Sequence, residues 1–407
     1  MRVLFVSPHL IESIASGGAQ RSALLRNSLE RIGLVDEICL PPKLTNKPSN
    51  LGSQVGSRRW LFPTDAIIGA HPLGSVTALH AFYSAGKHRW SPYALAIKEL
   101  SGLNEYDFIV ARYLTTAAQL DLFRHPRLLI DVDDYDPDRI RHRISSVNWL
   151  KRFTLKRCLR YSDEAHRNLL HRAAHCWVSN PADRRHPGLA TATLLPNIPY
   201  FPAGLPQFLP PPPAKESPVF LIVGTLSYSA NSDGIDAFLR EAWLKLRNQV
   251  PNVELHIVGQ GLSLGQRKRW GGVPGVKPIG FVESLSESYA RCIATLAPIL
   301  AGGGTNIKVL ESSAYGRPCV VSRIAHRGFE ETLPAGEACL RAEQIADMAE
   351  QCLRLIREPD LASRIGLRAR ACIELNYTPE VFNAAVMTGI RKVMDNGCLH
   401  HPYTESQ

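Results

Sequence analysis

Residues 301–322 read AGGGTNIKVLESSAYGRPCVVS, a triple-glycine turn that runs into a short amphipathic segment and then a run of small and β-branched residues. Gly302, Gly303 and Gly304 carry no Cβ, so the turn can take positive φ and its amides can come close to a ligand. Thr305 or Asn306 stands at the expected N-cap, and a helix that begins there presents its positive dipole end to the turn. The combination reads as an anion cradle suited to phosphate. Lys308 lies one turn into the helix and Glu311 follows three residues later on the same side. A cation for phosphate and a carboxylate for hydroxyls then face one ligand space, as a sugar nucleotide would require. Ile307, Leu310 and Ala314 repeat at helical spacing and turn inward, and Pro318–Val321 reads as a buried strand. Spacing alone leaves a plainer alternative open, in which Lys308 and Glu311 form only a surface ion pair on a Gly-capped helix.

Working outward, the same alternation of strand and helix recurs through the chain. The second half opens with a strand at Val219–Gly224, followed by a helix from about Asp233 to Gln249, strand Val253–Gly259 with its Gly-Gln-Gly turn, and strand Thr295–Pro298 before the glycines. The first half has strand Val3–Ser7, a loop containing Gly17 and Gly18, helix Ala19–Ile32, and strands at Phe108–Ala111, Leu128–Asp131 and Cys176–Ser179. Alternating strands and helices imply parallel sheets. Between the halves, residues 202–218 read PAGLPQFLPPPPAKESP, which can continue neither a helix nor a sheet interior. Such a stretch is stiff and extended and is the expected linker. The domains expected are therefore 1–201 and 219–378, with 379–407 as a terminal helical segment.

The 301–322 segment resembles the donor-binding signature of retaining, group 1 glycosyltransferases, which often read GGGT-x-x-K-x-L-E-x-x-A-x-G-x-P-V-V. The resemblance extends over the whole second half. It implies an α/β fold of two Rossmann-like domains facing across a cleft, the GT-B fold, with the C-terminal helix crossing back onto the first domain. It assigns Lys308 to the donor diphosphate and Glu311 to the ribose. Many relatives carry a second Glu eight residues before that one; here the position is Gly303, which resembles a glycine-rich branch where amides replace the carboxylate. The backbone after Gly280-Phe281-Val282 would meet the nucleobase. Gly17-Gly18, followed by Gln20 and Arg21, resembles the acceptor-domain glycine loop, and a first-domain histidine near the sugar is implied, with His9 favoured by position over His80. Relatives often place Arg and Lys in the loop after the first strand of the second domain. That loop, Gly224–Asn231, has no cation here, so Lys308 carries more of the charge, and Thr225, Ser227 and Asn231 offer hydrogen bonds. The resemblance also implies metal-independent transfer, with no metal and no cofactor beyond a nucleoside diphosphate sugar.

Composition agrees with a soluble enzyme of two cores. The chain has 407 residues, 45% hydrophobic and 21% charged, with no apolar run near the ~20 residues that span a bilayer. MRVLFVSP reads as a buried strand and not a signal peptide, so a cytoplasmic location is expected. The nine cysteines show no C-x-x-C spacing, which argues against a zinc site or disulfide framework. Residues 1–200 hold 26 Lys+Arg against 17 Asp+Glu, leaving 21 against 20 for the rest. The basic excess concentrates in 139–172, among apolar residues such as Trp149 and Phe153. That segment is either a solvated helix face or one that meets an anionic membrane surface at its inner side. The acidic DVDDYDPD run includes Asp131, Asp133 and Asp134 and sits where a strand leaves its sheet, so Asp133 is expected on the acceptor side or capping a loop, not on a metal. Arg112, ending FIVAR, is expected to meet a phosphate or an acidic acceptor. The resemblance implies a glycan or lipid-linked acceptor, as in bacterial surface polysaccharide assembly, and no role for nucleic acid is expected. Two other classes stay open: a non-catalytic sugar-nucleotide binder, and a dinucleotide oxidoreductase. The second is weakened because neither glycine pair completes G-x-G-x-x-G with a following acid.

Overall fold

A computed structural model of the chain describes residues 1–9, 17–40, 56–61, 103–133, 135–144, 149–201, 203–208, 210–212, 217–301 and 305–396. The chain forms two compact units, one of Met1–Pro196 with Pro379–Gln407 and one of Asn197–Thr378.

The first unit is built on a seven-stranded sheet whose strands are β1 (Arg2–Ser7), β2 (Leu34–Cys39), β3 (Arg59–Leu61), β4 (Phe108–Arg112), β5 (Leu128–Asp133), β6 (His175–Val178) and β7 (Thr193–Leu194). Their order is β3-β2-β1-β4-β5-β6-β7, and every neighbouring pair is parallel. Strands covered on both faces read as continuous apolar runs, and Val3, Leu4, Phe5 and Val6 are all fully buried. The strand order reverses beside β1: β2 and β3 lie to one side and β4 to the other. The carboxyl ends of β1 and β4 are therefore a topological switch point, the place where open α/β sheets bind ligands. The helix Pro379–Asn396 belongs to this unit, where Gly389 lies so close to Trp177 that a Cβ would stand 2.5 Å from the indole nitrogen.

The second unit repeats the plan with β8 (Val219–Val223), β9 (Glu254–Val258), β10 (Val276–Gly280), β11 (Ala294–Ala297), β12 (Cys319–Ser322) and β13 (Leu340–Ala342), ordered β10-β9-β8-β11-β12-β13. All neighbours are again parallel. Its core joins Phe220, Ile222, Leu255, Ile257, Leu296 and Val320 to Phe238, Trp243 and Trp270. The helix expected from Asp233 begins earlier, at Ser229, because the Asn231 and Ser232 amides already bond the Tyr228 carbonyl. It runs through a π-helical turn, Leu239–Trp243, into Leu244–Gln249. That turn keeps Trp243 fully buried, with its indole donating to Pro274 O at 3.0 Å. Described parts of the Pro-rich stretch are fastened within this unit: Arg370 donates to Pro206 O at 2.7 Å, and the Phe208 ring fills the space a Cβ of Gly316 would take. Among the described residues, no helix is long and apolar enough to cross a membrane.

Candidate functional site

In the second unit the order reverses between β8 and β11, so the loops after these two strands flank the switch point. The loop after β8 is pressed against the turn after β9. A Cβ on Gly259 would stand 1.7 Å from Gly224 O, and one on Gly261 would stand 2.6 Å from Ser227 Oγ, so neither position admits a side chain. After β11 the chain passes Gly302, Gly303 and Gly304, which lie outside the described residues, and enters the helix Ile307–Ala314. Asn306 occupies the N-cap, but its side chain makes no capping hydrogen bond among the described residues. The expected capping role is filled by neither candidate: the Asn306 amide donates to Ala325 O at 3.3 Å, and Thr305 Oγ1 accepts from Asn197 at 2.6 Å.

Lys308 crosses the switch point. Its ammonium donates to the Asn231 side-chain oxygen, and Asn231 Nδ2 donates in turn to Thr225 O at 2.8 Å. Among the described residues no carboxylate lies within ion-pair distance of Lys308, so the plainer Lys308–Glu311 surface pair does not form. Burial without a counter-charge pulls the Lys308 ammonium down to about 8. Glu311, one turn on, is pushed up to about 7, also by burial. Its electrostatic neighbour is Tyr289, a buried phenol held well above its ordinary range by burial first and Glu311 next. Tyr289 stacks on Tyr315 at 4.2 Å and 10°, and its hydroxyl lies beside Glu311, where it opposes the effect of burial on that carboxyl. Val282, two residues beyond β10, is half-buried against the same apolar cluster. Thr225 itself is exposed. A lysine and a glutamate that both hold charge at a cost thus sit together at the carboxyl edge of a parallel sheet, which makes this edge the candidate site of the second unit.

The corresponding edge of the first unit holds a closed charge cluster. Arg21, on the helix Gly17–Glu30, grips Asp131 with two parallel bonds of 2.9 and 2.8 Å and reaches Pro196 O at 3.2 Å. Arg112 also bonds Asp131, and reaches Asp133 at 3.2 Å, Tyr113 Oη at 2.9 Å and Ser22 Oγ at 3.2 Å. Arg21, Arg112 and Asp131 are buried. Burial would lower the Arg112 guanidinium, but Tyr113, Asp131 and Asp133 hold it above its ordinary value. The expectation that Arg112 reaches outward to a ligand is therefore corrected, since its donors are spent inside the cluster. Asp131 likewise points inward, and Asp134 lies outside the described residues. Asp133 is only partly exposed, and its carbonyl caps Ser179. Tyr113 and Asp133 both adopt positive φ, 67° and 58°, at the ends of β4 and β5. Non-glycine residues in that region concentrate where geometry serves a site.

His9 stands just past β1, with Nε2 3.3 Å from Tyr113 Oη. Burial first, and then Arg112, bring its imidazole down to about 4, so it is neutral at physiological pH. Gly18 lets this histidine lie close against the helix start: a Cβ there would stand 2.5 Å from His9 Nε2 and push the ring aside. Gly17 opens the helix, and His80 lies outside the described residues. Tyr113 and Tyr289 carry no sequence signal, because each is one tyrosine among 12 with no motif around it.

Among the described residues one further group, Asp138, Asp183 and His186, brings potential metal-ligating atoms within 4.8 Å of one another. Asp138 is already shared by Arg141, Arg185 and His186 at 2.6, 2.9 and 2.9 Å, so two guanidiniums compensate the charge a cation would need.

Residues 217–358 match the family model Glycosyl transferases group 1. No curated protein sequence matches the chain. Among solved structures the chain is similar to sucrose-phosphate synthase from Thermosynechococcus elongatus, with 16% identity over 97% of this chain and 100% of that one at TM-score 0.69. It is similar to α,α-trehalose 6-phosphate synthase from Burkholderia multivorans, with 13% identity over 100% and 99% at TM-score 0.68. It is also similar to Anabaena HepE in complex with UDP and glucose, with 14% identity over 96% and 99% at TM-score 0.62. These likenesses establish the fold, an α/β architecture of two parallel sheets flanked by helices that matches GT-B structures.

Proposed function

We propose that the chain is a retaining glycosyltransferase that takes a sugar from a nucleoside diphosphate and passes it to a glycan or lipid-linked acceptor. The observation that carries this is the uncompensated Lys308 ammonium at the β8/β11 switch point, one turn into a helix whose N-cap side chain makes no capping hydrogen bond among the described residues, inside the stretch that matches the group 1 glycosyltransferase family. The diphosphate supplies the anion that Lys308 lacks, and the first-turn amides of Ile307–Ala314 add the helix dipole. Glu311 takes the ribose hydroxyls, and the backbone at Val282 meets the base. Thr225 and Asn231 border the phosphates. These groups favour departure of the diphosphate by stabilising the charge that develops on it.

On the acceptor side, His9 with Tyr113 lies at the carboxyl edge of the first sheet, supported from beneath by Arg112 and Asp133 and flanked by Gly17-Gly18. Neutral His9 accepts or donates hydrogen bonds to an acceptor without adding charge of its own. Positive charge for the leaving group comes from Lys308 and a helix end, so the reading needs no resident metal and no cofactor. A cytoplasmic enzyme of surface polysaccharide assembly fits this chemistry.

The test is a panel of nucleotide sugars assayed for slow donor hydrolysis by the purified chain, with calorimetry against UDP and GDP in EDTA. Hydrolysis of one donor that Lys308→Ala abolishes supports the reading. Tight nucleotide binding with no turnover of any donor or acceptor would favour a sugar-nucleotide binder instead.

A further inference from the structure

The helix Trp149–Leu169 has two faces of opposite character. Cys158, Ser162, Ala165, His166 and Leu169 are buried and recur at helical spacing, so they mark the side that packs on the first unit. The opposite side carries Arg152, Lys156, Arg157, Arg160 and Arg167, all exposed, against a single exposed acid, Glu164. The neighbouring Asp163 is tied to Arg141 at 2.6 Å. Among the described residues no carboxylate lies within ion-pair distance of those five cations. On this outward side, one turn apart, stand Trp149 and Phe153, which are 76% and 66% exposed.

Solvation explains the arginines but not two large aromatics on the face turned away from the core. Together they define a surface that is both apolar and cationic. Tryptophan and phenylalanine prefer the boundary between headgroups and acyl chains, and Lys and Arg beside them reach anionic headgroups along their aliphatic stems. We propose that this face docks on a bilayer containing anionic lipid, with Trp149 and Phe153 entering the headgroup boundary and the Arg152–Arg160 row lying over the phosphates. Charge complementarity selects the occupant: the row is long, of one sign and unneutralised, and its aromatic end needs an apolar phase that a soluble polyanion lacks. The proposal stands on this face alone and is independent of the activity proposed above.

The experiment is flotation of the full chain with vesicles of phosphatidylcholine alone or with about 30 mol % phosphatidylserine, at about 0.1 M and 0.5 M salt. Binding is expected only with the anionic vesicles, and is expected to weaken at high salt. Lys156→Ser/Arg157→Ser/Arg160→Ser should lower partitioning about 100-fold, at about fivefold per cation. Trp149→Ala/Phe153→Ala should lower it about tenfold and remove the blue shift of tryptophan emission on binding. All five positions are exposed, so both variants should keep the thermal midpoint of the parent. Equal binding to neutral vesicles, variants that partition like the parent, or capture by polyglutamate without capture by vesicles would each overturn the proposal.

Discussion

The Lys308 ammonium donates to the Asn231 side-chain oxygen across the point where the strand order of the second unit reverses. Asn231 is neutral, so it fixes the direction of the ammonium without neutralising it. Lys308→Ala is expected to lower kcat/KM about 30- to 150-fold, the scale of a charge-assisted bond to phosphate of about 2–3 kcal/mol, while the thermal midpoint holds or rises. Steady-state kinetics together with a melting curve check both halves, and an unchanged kcat/KM counts against the site.

Asn231 permits a finer test. Asn231→Ala frees the ammonium from one restraint and should cost donor affinity about tenfold. Asn231→Asp gives Lys308 a carboxylate partner in place of an amide, which competes with the diphosphate, so donor affinity should fall further although the lysine stays charged to higher pH. Calorimetry with the nucleotide sugar ranks the two; an aspartate variant that binds better than the alanine one is the opposing result.

Donor affinity should depend on pH through both residues. Lys308 titrates at about 8 and must be charged to hold phosphate, so affinity falls as pH rises past that value. Glu311 titrates at about 7 and accepts ribose hydroxyls best when ionised, so affinity also falls below it. The profile is a narrow bell, and a nucleotide sugar is the right probe because its diphosphate lacks the terminal group that ionises near 6. Lys308→Arg should remove the alkaline limb and Glu311→Gln the acid limb. A profile flat from about pH 6 to 9 contradicts the assignment.

Glu311 also ties stability to pH. Its carboxyl ionises at 4.5 unfolded and at about 7 folded, so the native state binds more protons between those values and stability falls as pH rises through them. Glu311→Gln removes that loss. The variant should match the parent near pH 4 and exceed it at pH 8 by up to about 3 kcal/mol, while binding donor more weakly. Denaturant unfolding at the two pH values checks the sign.

Much of this was legible in the sequence, because the apolar runs VLFV, FIVA and FLIV have to be buried on both faces and fall between helices, which specifies parallel sheets. The glycine turn, Lys308 and Glu311 were visible because spacing on a single helix is a local property. Strand β2 was not expected, since Asp36 and Glu37 interrupt its apolar pattern. Their charges are met by Arg2 and Arg58 for Asp36 and by Arg26 and Arg59 for Glu37, partners up to 34 residues away. The same limit hid the inward turn of Arg112. FIVAR shows that an arginine ends a strand, but only the fold shows that Asp131, Ser22 and Tyr113 absorb its donors. Asn231 gained its role from Lys308, 77 residues away.

His9 offers a spectroscopic check. Burial first, and then the Arg112 charge, hold its imidazole at about 4, with Asp133 opposing. Its ring shifts should stay constant from about pH 5.5 to 8, whereas an exposed histidine titrates near 6.5. Arg112→Met removes the repelling cation and should raise the His9 value, provided the cluster stays folded. A His9 resonance in the parent that titrates near neutrality would remove the neutral acceptor-side role.

The Arg21–Asp131–Arg112 cluster sets the last expectation. Asp131 is fully buried and serves two arginines, so Asp131→Asn leaves two guanidiniums with one charge partner between them, the partly exposed Asp133. Breaking a buried pair from one side costs about 3–5 kcal/mol, more than the pair itself contributes, because the remaining charge stays desolvated. Unfolding of the first unit should shift by that amount, while nucleotide affinity, which the proposed function places in the second unit, should not change. Adding Arg21→Met to Asp131→Asn removes one of the stranded cations and should recover part of the loss. A single variant as stable as the parent, or a double variant worse than the sum of its parts, would show that the cluster is not held by charge.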